Sequence, residues 1–393
     1  LGKVLIMVGI NLFGMTPFGW RFMGALFGIL MIPAMYLLAK QLLRRSSPAF
    51  LAAFLMAVDG MHFTQTRIAT IDVFGVFFII VMYLFMLRYL MMSFNHTRLW
   101  RTLVPLFFSG LFMGFAIASK WIGIYAAVGL AVLFFYSIYL RAREYRFAKS
   151  NLKLLEGEQK RVAQRAVKQF GRNLWVTLAW CVVFFIAIPA AIYYFSYYWQ
   201  LTPDGNFNLK GVWDMQMSMF SYHSGLTGDT HSFRSPWYEW PLIIKPMWYY
   251  SGADFMSSGW VSSIYCMGNP VVWWGGLAAL IFAIVRLCGK AFGDRRYIFV
   301  VVGFLSQYLP WTLITRSTFI YHYFASVPFI ILATAIFFEW LRREKHEIYA
   351  RAVWVYGGLA LILFGMFYPL MSGTPFPRVF ANLLNGFRWF YLG

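Results

Sequence analysis

Residues 70–91 read TIDVFGVFFIIVMYLFMLRYLM, and no charged residue lies between Asp72 and Arg88. A helix needs about 20 mostly apolar residues to cross a hydrocarbon core of about 30 Å. This stretch has that length, and its two charges stand where a crossing helix would meet the two membrane surfaces. It predicts a transmembrane helix and a fold built in the bilayer.

The composition of the whole chain extends this prediction. Of its 393 residues, 61% are hydrophobic and only 12% are charged, whereas soluble domains carry about 25% charged residues. That leaves too little polar surface for a soluble enzyme and excludes a disordered chain. The three cysteines follow no motif spacing, which argues against a disulfide scaffold.

Apolar runs interrupted by basic clusters or by Gly and Pro predict ten spans. The predicted fold class is an all-α, polytopic membrane helical bundle. Residues 1–195 would form an N-terminal bundle, 196–269 an extracytoplasmic loop and 270–393 a C-terminal bundle. The spans lie near residues 20–39, 48–64, 70–91, 103–118, 121–140, 174–195, 270–287, 297–314, 320–341 and 352–371.

The net charge of +20 is distributed unevenly between the two sides of these spans. One set of loops carries 24 of the 34 Lys and Arg residues, and positive residues mark the cytoplasmic side. Both ends of the chain and segment 196–269 are predicted to face outward. Membrane lipids, and not nucleic acid, are the expected partners of the positive charge. These basic loops are 40–47, 88–101, 141–172, 286–296 and 342–351.

The longest basic loop, 141–172, contains ten Lys and Arg residues, and its apolar residues have loosely helical spacing. We expect a helix that lies on the anionic inner leaflet. The alternative is a solvated basic linker. Two G-x-x-x-G patterns within spans, Gly24 to Gly28 and Gly110 to Gly114, predict close helix packing inside one bundle.

Charged residues at the outer ends of the spans are the first candidates for a site. Arg67 and Asp72 are five residues apart: Arg67 would bind an anion and Asp72 would orient the anion or a hydroxyl. Alternatively, the two form an ion pair that joins two helices. Arg21, Lys120 and Arg316 are predicted at the same side. Together these cations suit a lipid phosphate or pyrophosphate, although each alone would suit a snorkelling residue.

Segment 196–269 is rich in aromatic and polar residues that suit binding of a sugar or a peptide. His322 is a further candidate because it follows Arg316 closely, although a lone interfacial histidine more often forms only hydrogen bonds. The segment could also be an ordinary polar loop. A metal at His223, Asp229, His231 and Glu239 lacks a known ligand spacing, so no metal is predicted. The candidates in the segment are His223, His231, Trp237, Glu239 and Trp240.

No nucleotide-binding signature is present, so the energy for a reaction would have to come with the substrate. Taken together, an ordered set of motifs resembles the protein O-mannosyltransferase family, and the match extends along the whole chain. The motifs are Leu1-Gly-Lys3, Pro17-Phe-Gly-Trp-Arg21-Phe-Met-Gly, Asp59-Gly-Met, Arg67-Ile-Ala-Thr-Ile-Asp72, Ala118-Ser-Lys120-Trp, Ser235-Pro-Trp237-Tyr-Glu-Trp240-Pro, Gly268-Asn-Pro-Val-Val-Trp-Trp274 and Tyr321-His-Tyr-Phe.

The resemblance implies a glycosyltransferase of the GT-C type. Such an enzyme moves mannose from a polyprenyl-phosphate or dolichyl-phosphate carrier to Ser/Thr hydroxyls of exported proteins. It inverts the anomeric centre in one displacement and needs no metal or other cofactor. Segment 196–269 is too short for the MIR repeats of eukaryotic members. A bacterial member is expected, multi-pass in the plasma membrane, with its active site facing outward.

The chain begins at Leu1 and not at Met. The resemblance places another span and an acidic outer loop, containing the catalytic base, upstream of this point. We expect that base to be missing here. Asp72 and Glu239 are the remaining candidate catalytic acids, and the resemblance implies that they orient donor or acceptor.

Two other functions remain open from the sequence. One is a transporter or lipid flippase. Against it, the sequence shows no inverted repeat, and hardly any charged residue lies in the middle of a span. The other is a related transferase that moves a lipid-linked sugar to a lipid acceptor.

Overall fold

A computed structural model describes residues 1–225, 231–257, 259–289 and 293–387, apart from the side chains of His223 and Phe387. Most of these residues are helical, as predicted. The α-helices are α1 Gly2–Phe13, α2 Pro17–Leu43, α3 Ser46–Ala57, α4 Gly60–Arg67, α5 Asp72–Leu90, α6 Leu99–Ser119, α7 Ile122–Asn151, α8 Gly157–Val182, α9 Ile188–Phe195, α10 Tyr198–Leu201, α11 Leu209–Gly225, α12 Pro270–Cys288, α13 Arg295–Tyr308, α14 Val327–Glu344, α15 His346–Ser372 and α16 Arg378–Leu384.

Eight helical segments in the described part of the chain are long and apolar enough to cross a membrane. They coincide with eight of the ten predicted spans. The other two predicted spans fall on shorter elements. Residues 48–64 form α3 and α4 with a break between them, and 297–314 form α13 followed by the 3-10 turn Leu309–Leu313.

A buried carboxylate holds the break between α3 and α4. Asp59 is fully buried and caps α4 by accepting the backbone N–H of His62. It also accepts hydrogen bonds from the backbone N–H of Asn269 at 3.1 Å and from the indole of Trp273 at 2.9 Å. Because a buried charge is costly unless it is fully hydrogen-bonded, this network fixes the start of α12 against the start of α4.

Helices α5 and α14 occupy the centre of the bundle. The most apolar stretches of their spans are 78% and 89% buried, whereas those of the spans through α8–α9 and α15 are only 17% buried. Helix α5 packs against α2 and α6, and α14 packs against α12 and α3. The peripheral helices are left to face lipid.

Both glycine pairs pack within this single bundle, as predicted. Gly24 and Gly28 of α2 lie against Thr66, and Gly110 of α6 lies directly against the backbone carbonyl of Phe184. Phe184 belongs to the π-helical turn Val183–Ala187 between α8 and α9. The absence of a side chain at Gly110 lets the two helices approach at backbone distance.

The basic loops meet at one end of the bundle, here called the basic end. Arg295 donates to the carbonyl of Leu90, and Asn95 donates to the carbonyl of Arg141. At this end residues 141–172 are mostly helical, as predicted, and the linker alternative is wrong. The residues form the ends of two helices and not one separate helix, and their place on the inner leaflet stays a prediction. Helices α7 and α8 simply continue past the bundle and form a hairpin closed by a small alanine cluster, Ala148, Ala163 and Ala166.

At the opposite end, residues between α9 and α12 contain α10, α11, the 3-10 helix Trp237–Leu242 and three short strands. Strand β1 (Met247–Ser251) pairs antiparallel with β3 (Ser263–Cys266). Strand β2 (Trp260–Val261) pairs with β4 (Phe376–Pro377), which follows α15. Part of the predicted C-terminal bundle thus folds onto segment 196–269.

The close packing at Gly110 can be tested by adding a methyl group. We expect Gly110→Ala to lower the free energy of unfolding by roughly 1–3 kcal/mol, the usual cost of overpacking. The matched control is Gly365→Ala in α15, where an added Cβ would meet no atom within 4 Å. Thermal unfolding in detergent compares the two. Equal melting temperatures for both variants would contradict the packing described here.

Candidate functional site

An ion pair stands at the end of the bundle opposite the basic loops. The ammonium of Lys120 lies 2.5 Å from a carboxylate oxygen of Asp72, and the two side chains are 20% and 10% exposed. Asp72 begins α5, where the positive end of the helix dipole favours a carboxylate. Lys120 stands between α6 and α7. The pair joins three spans at the membrane boundary.

Arg67 does not pair with Asp72, so the ion-pair alternative for these two residues is wrong. Its guanidinium donates to the backbone carbonyls of Met371 at 3.4 Å and Ser372 at 3.0 Å, at the end of α15. It also lies over the ring of Phe63, 4.9 Å from the centroid. Within the described ranges no carboxylate neutralises Arg67, which stays partly exposed.

Two more cations lie at the same end without a described carboxylate partner. Arg21, in the second turn of α2, is exposed and close enough for its charge to act on Arg67. Arg316 is partly exposed in the loop before residues 320–326, and its charge acts on Tyr321 and His322. The structure therefore brings all four predicted cations to one end of the bundle.

Aromatic and amide side chains border the ion pair. The ring of Tyr321 lies beneath the Lys120 ammonium at 5.3 Å and faces Tyr249 of β1 at 6.5 Å. Gln65 donates to the Tyr249 hydroxyl at 2.9 Å and accepts from Thr70 at 2.8 Å. Burial raises the pKa of Tyr249 well above its ordinary value, so its hydroxyl stays protonated.

Gln65, Thr70 and Tyr249 were not predicted from the sequence. Thr70 lies inside the motif from Arg67 to Asp72 and Gln65 lies just before it, so their position beside that motif was a usable signal. Tyr249 lies far away in sequence, and only the β1–β3 hairpin brings it to the site.

His322 and Trp240 form part of a buried aromatic cluster beside Lys120. The ring of His322 lies 4.5 Å from that of Tyr321, 4.3 Å from Trp311 and 5.8 Å from Trp240. The Trp240 indole donates to the carbonyl and hydroxyl of Ser235, each at 3.1 Å. Through His322, both side chains pack behind Tyr321, the ring that contacts Lys120. A direct contact of either residue with substrate stays a prediction.

The other candidates of segment 196–269 are nearer its surface. Trp237 packs on Tyr308, 5.6 Å between ring centroids, and its carbonyl accepts the Tyr308 hydroxyl. Glu239 is partly exposed, and its carboxylate has no ion pair with any described residue. Exposed His231 lies edge-on to Phe319 at 5.0 Å.

Two residues named in the sequence analysis lie outside what the structure describes: Asp229 entirely, and His223 in its side chain. The remaining described residues contain no group of three His, Cys, Asp or Glu side chains that could hold a metal ion.

This arrangement can bind an anion that approaches at the membrane boundary. Arg67 has a fixed orientation, because two carbonyls hold part of its donor fork. A guanidinium in that position suits a phosphate by bidentate contact. Asp72 balances Lys120, so the excess positive charge comes from the three arginines.

Two family models match this chain. Residues 7–202 match the model of dolichyl-phosphate-mannose-protein mannosyltransferases, and residues 208–391 match that of the C-terminal four-transmembrane region of protein-O-mannosyltransferase. The chain belongs to the protein O-mannosyltransferase family. The resemblance noted in the sequence is confirmed, and so is the prediction of a glycosyltransferase enzyme.

Relatives and solved structures extend the comparison. Polyprenol-phosphate-mannose–protein mannosyltransferases of Mycolicibacterium smegmatis and Corynebacterium glutamicum are 25% and 27% identical, over 98% and 99% of this chain and 80% of each relative. The donor-bound Pmt1–Pmt2 protein O-mannosyltransferase complex of Saccharomyces cerevisiae has a similar fold, with a TM-score of 0.77 at 12% identity over 94% of this chain and 80% of that one.

Apo ArnT of Cupriavidus metallidurans shares the fold more loosely. Its TM-score is 0.55 at 14% identity, over 94% of this chain and 65% of that one. These likenesses confirm the predicted multi-pass helical membrane bundle of GT-C type.

The coupling between Asp72 and Lys120 is testable by a double-mutant cycle. We expect Lys120→Met to lower the free energy of unfolding by roughly 1–3 kcal/mol, between the values for exposed and buried pairs, because it leaves Asp72 unpaired. Adding Asp72→Asn to Lys120→Met should recover much of this loss. Equilibrium unfolding in detergent measures the coupling energy.

Lys153→Met is the control, since Lys153 is exposed in the α7–α8 hairpin. Additive effects of the two site substitutions would show that the pair contributes nothing.

Proposed function

We propose that the protein transfers mannose from a polyprenyl-phosphate carrier to Ser/Thr hydroxyls of exported proteins. The observation that carries this proposal is the oriented, partly exposed Arg67 guanidinium, without a described carboxylate partner, in a chain of the protein O-mannosyltransferase family. The curated bacterial relatives are named for polyprenol-phosphate-mannose and a protein acceptor.

The proposed donor uses the cations at the site end. Its phosphate would bind Arg67, with the charges of Arg21 and Arg316 nearby, and its polyprenyl chain would remain in the bilayer. When the bond from mannose to phosphate breaks, negative charge grows on the leaving phosphate. Prearranged cations stabilise that charge, which is the general basis of electrostatic catalysis. No further cofactor is needed, since the donor is already activated.

The proposed acceptor approaches from the aqueous side, across segment 196–269. Trp237 and His231 offer ring faces near the surface, and the Glu239 carboxylate can accept a hydrogen bond from a hydroxyl. Asp72 and Lys120 would orient the mannose hydroxyls. Inversion in a single displacement requires a base that takes the proton of the acceptor hydroxyl.

We place the site on the outer face of a bacterial plasma membrane. The basic loops and the Asp72–Lys120 pair lie at opposite ends of the bundle, and basic loops mark the cytoplasmic side. The bacterial assignment is supported by bacterial relatives whose similarity extends over nearly all of this chain.

Donor binding separates Arg67 from an ordinary interfacial arginine. We expect Arg67→Ala to weaken binding of polyprenyl-phosphate mannose by about 10- to 100-fold, since a charge-assisted hydrogen bond contributes roughly 1.5–3 kcal/mol. Arg67→Lys should retain part of the affinity, because it keeps the charge but loses the fork. Binding is measured by titration in nanodiscs.

The matched control is Arg98→Ala, an exposed arginine at the basic end. If both alanine variants bind the donor like the parent, Arg67 is not part of an anion site.

Transfer itself is tested in proteoliposomes with polyprenyl-phosphate mannose and a Ser/Thr-rich peptide. We expect mass spectrometry to find hexose on peptide hydroxyls. Hexose on a lipid in place of the peptide would make the protein acceptor wrong. If the donor binds but hexose appears on neither the peptide nor a lipid, the proposed transfer is wrong.

A further inference from the structure

Helix α11 carries an apolar stripe that the described part of the protein leaves uncovered. Leu209, Trp213, Met217 and Phe220 are spaced by four, four and three residues, which places them on one face of the helix. They are 79%, 64%, 46% and 59% exposed. So much exposed apolar surface on one short helix indicates something that covers it.

The face of α11 next to the stripe fixes the helix to the bundle. Val212 is buried, and Gln216 accepts a hydrogen bond from the Tyr193 hydroxyl. Gln200 of α10 contacts the sulfur of Met215. Because these residues face the protein and border the stripe, the stripe is turned to one side of the helix.

The contacts of Tyr193 also set the depth of α11. Tyr193 lies in the last turns of α9, and the indole of Trp121 donates to its hydroxyl at 2.8 Å. Trp121 follows Lys120 directly and precedes α7. Helix α11 therefore lies at the end of the bundle where α7 begins and α9 ends, which is also the end of the Asp72–Lys120 pair.

The span that precedes α11 in the chain also exposes much of its apolar surface. The span through α8 and α9 is only 17% buried at its most apolar stretch. Phe195 and Trp199, at its end, are 62% and 61% exposed. Tryptophan and other aromatic residues favour this boundary, because part of each ring is apolar and part is polar.

We propose that α11 is an in-plane amphipathic helix that binds the surface of the bilayer at the site end, with its stripe in the boundary between headgroups and acyl chains. This mode of binding is typical of helices with Trp, Phe and Leu on one face. The charged residues of α11, Lys210 and Asp214, balance each other. Binding is consequently apolar and does not depend on anionic lipid or on salt.

This inference does not rest on the proposed reaction. In this role α11 holds segment 196–269 against the membrane at the end of the bundle that contains Lys120. A second copy of the chain or a bound peptide are the other ways to cover the stripe, and the experiment distinguishes them.

The test uses single spin labels in the complete chain, with Cys181, Cys266 and Cys288 replaced by alanine. Trp213→Cys and Phe220→Cys report on the stripe, and Ser218→Cys reports on the other side of the same helix. The labelled proteins are placed in nanodiscs of zwitterionic lipid. We expect the stripe labels to collide severalfold more with oxygen, which concentrates in lipid, than with a water-soluble nickel chelate. The Ser218 label should show the reverse.

High chelate access at all three positions would overturn the proposal, because the stripe would then face water. Exclusion of both probes from the stripe would also overturn it and indicate a protein cover. Since all three positions are exposed, the labels should not impair folding, which melting temperatures check. Repeating the measurement in anionic lipid and at high salt should leave the result unchanged.

Discussion

Inside a bilayer, every backbone N–H and C=O must find its partner within the protein, and the site of this enzyme depends on how that demand is met at one break. Between α3 and α4 the helix stops, and Asp59 and Asn269 take over. Asp59 caps α4, while Asn269 donates to the carbonyls of Val58 and Ala360. Because these backbone groups at the break are hydrogen-bonded, α4 can end with Arg67 against α15, and Asp72 can begin α5.

The sequence predicted most of the helices because hydropathy over about 20 residues reports directly on the bilayer. It did not predict which charges pair. Asp72 finds Lys120, 48 positions away, and Arg67 binds carbonyls more than 300 positions away. Such partners depend on how α5, α6 and α15 pack, which local spacing does not encode. The α7–α8 hairpin shows the same limit. Its two helices meet through Ala148, Ala163 and Ala166, and local spacing does not show that these alanines come together.

The charge balance at the site end follows from these pairings. If Arg67 had paired with Asp72, Lys120 would have been the only uncompensated cation among the central residues. Instead the flexible lysine is neutralised, and the planar guanidinium remains available. Arginine is the better of the two for a phosphate, since its donors are already arranged to match two oxygens. Tyr321, Tyr249 and the buried cluster around His322 then hold the lysine in place.

The depth of the charges also distinguishes this enzyme from a transporter of similar hydropathy. A transporter binds its cargo near the midplane, between two repeats that move against each other. Here the fully buried acid Asp59 already accepts three hydrogen bonds and has no role left for a cargo. The available cations lie at the boundary, where a substrate can keep its apolar chain in lipid and its charged group beside water. A site there requires no passage through the bundle, and α5 and α14 can remain closely packed at its centre.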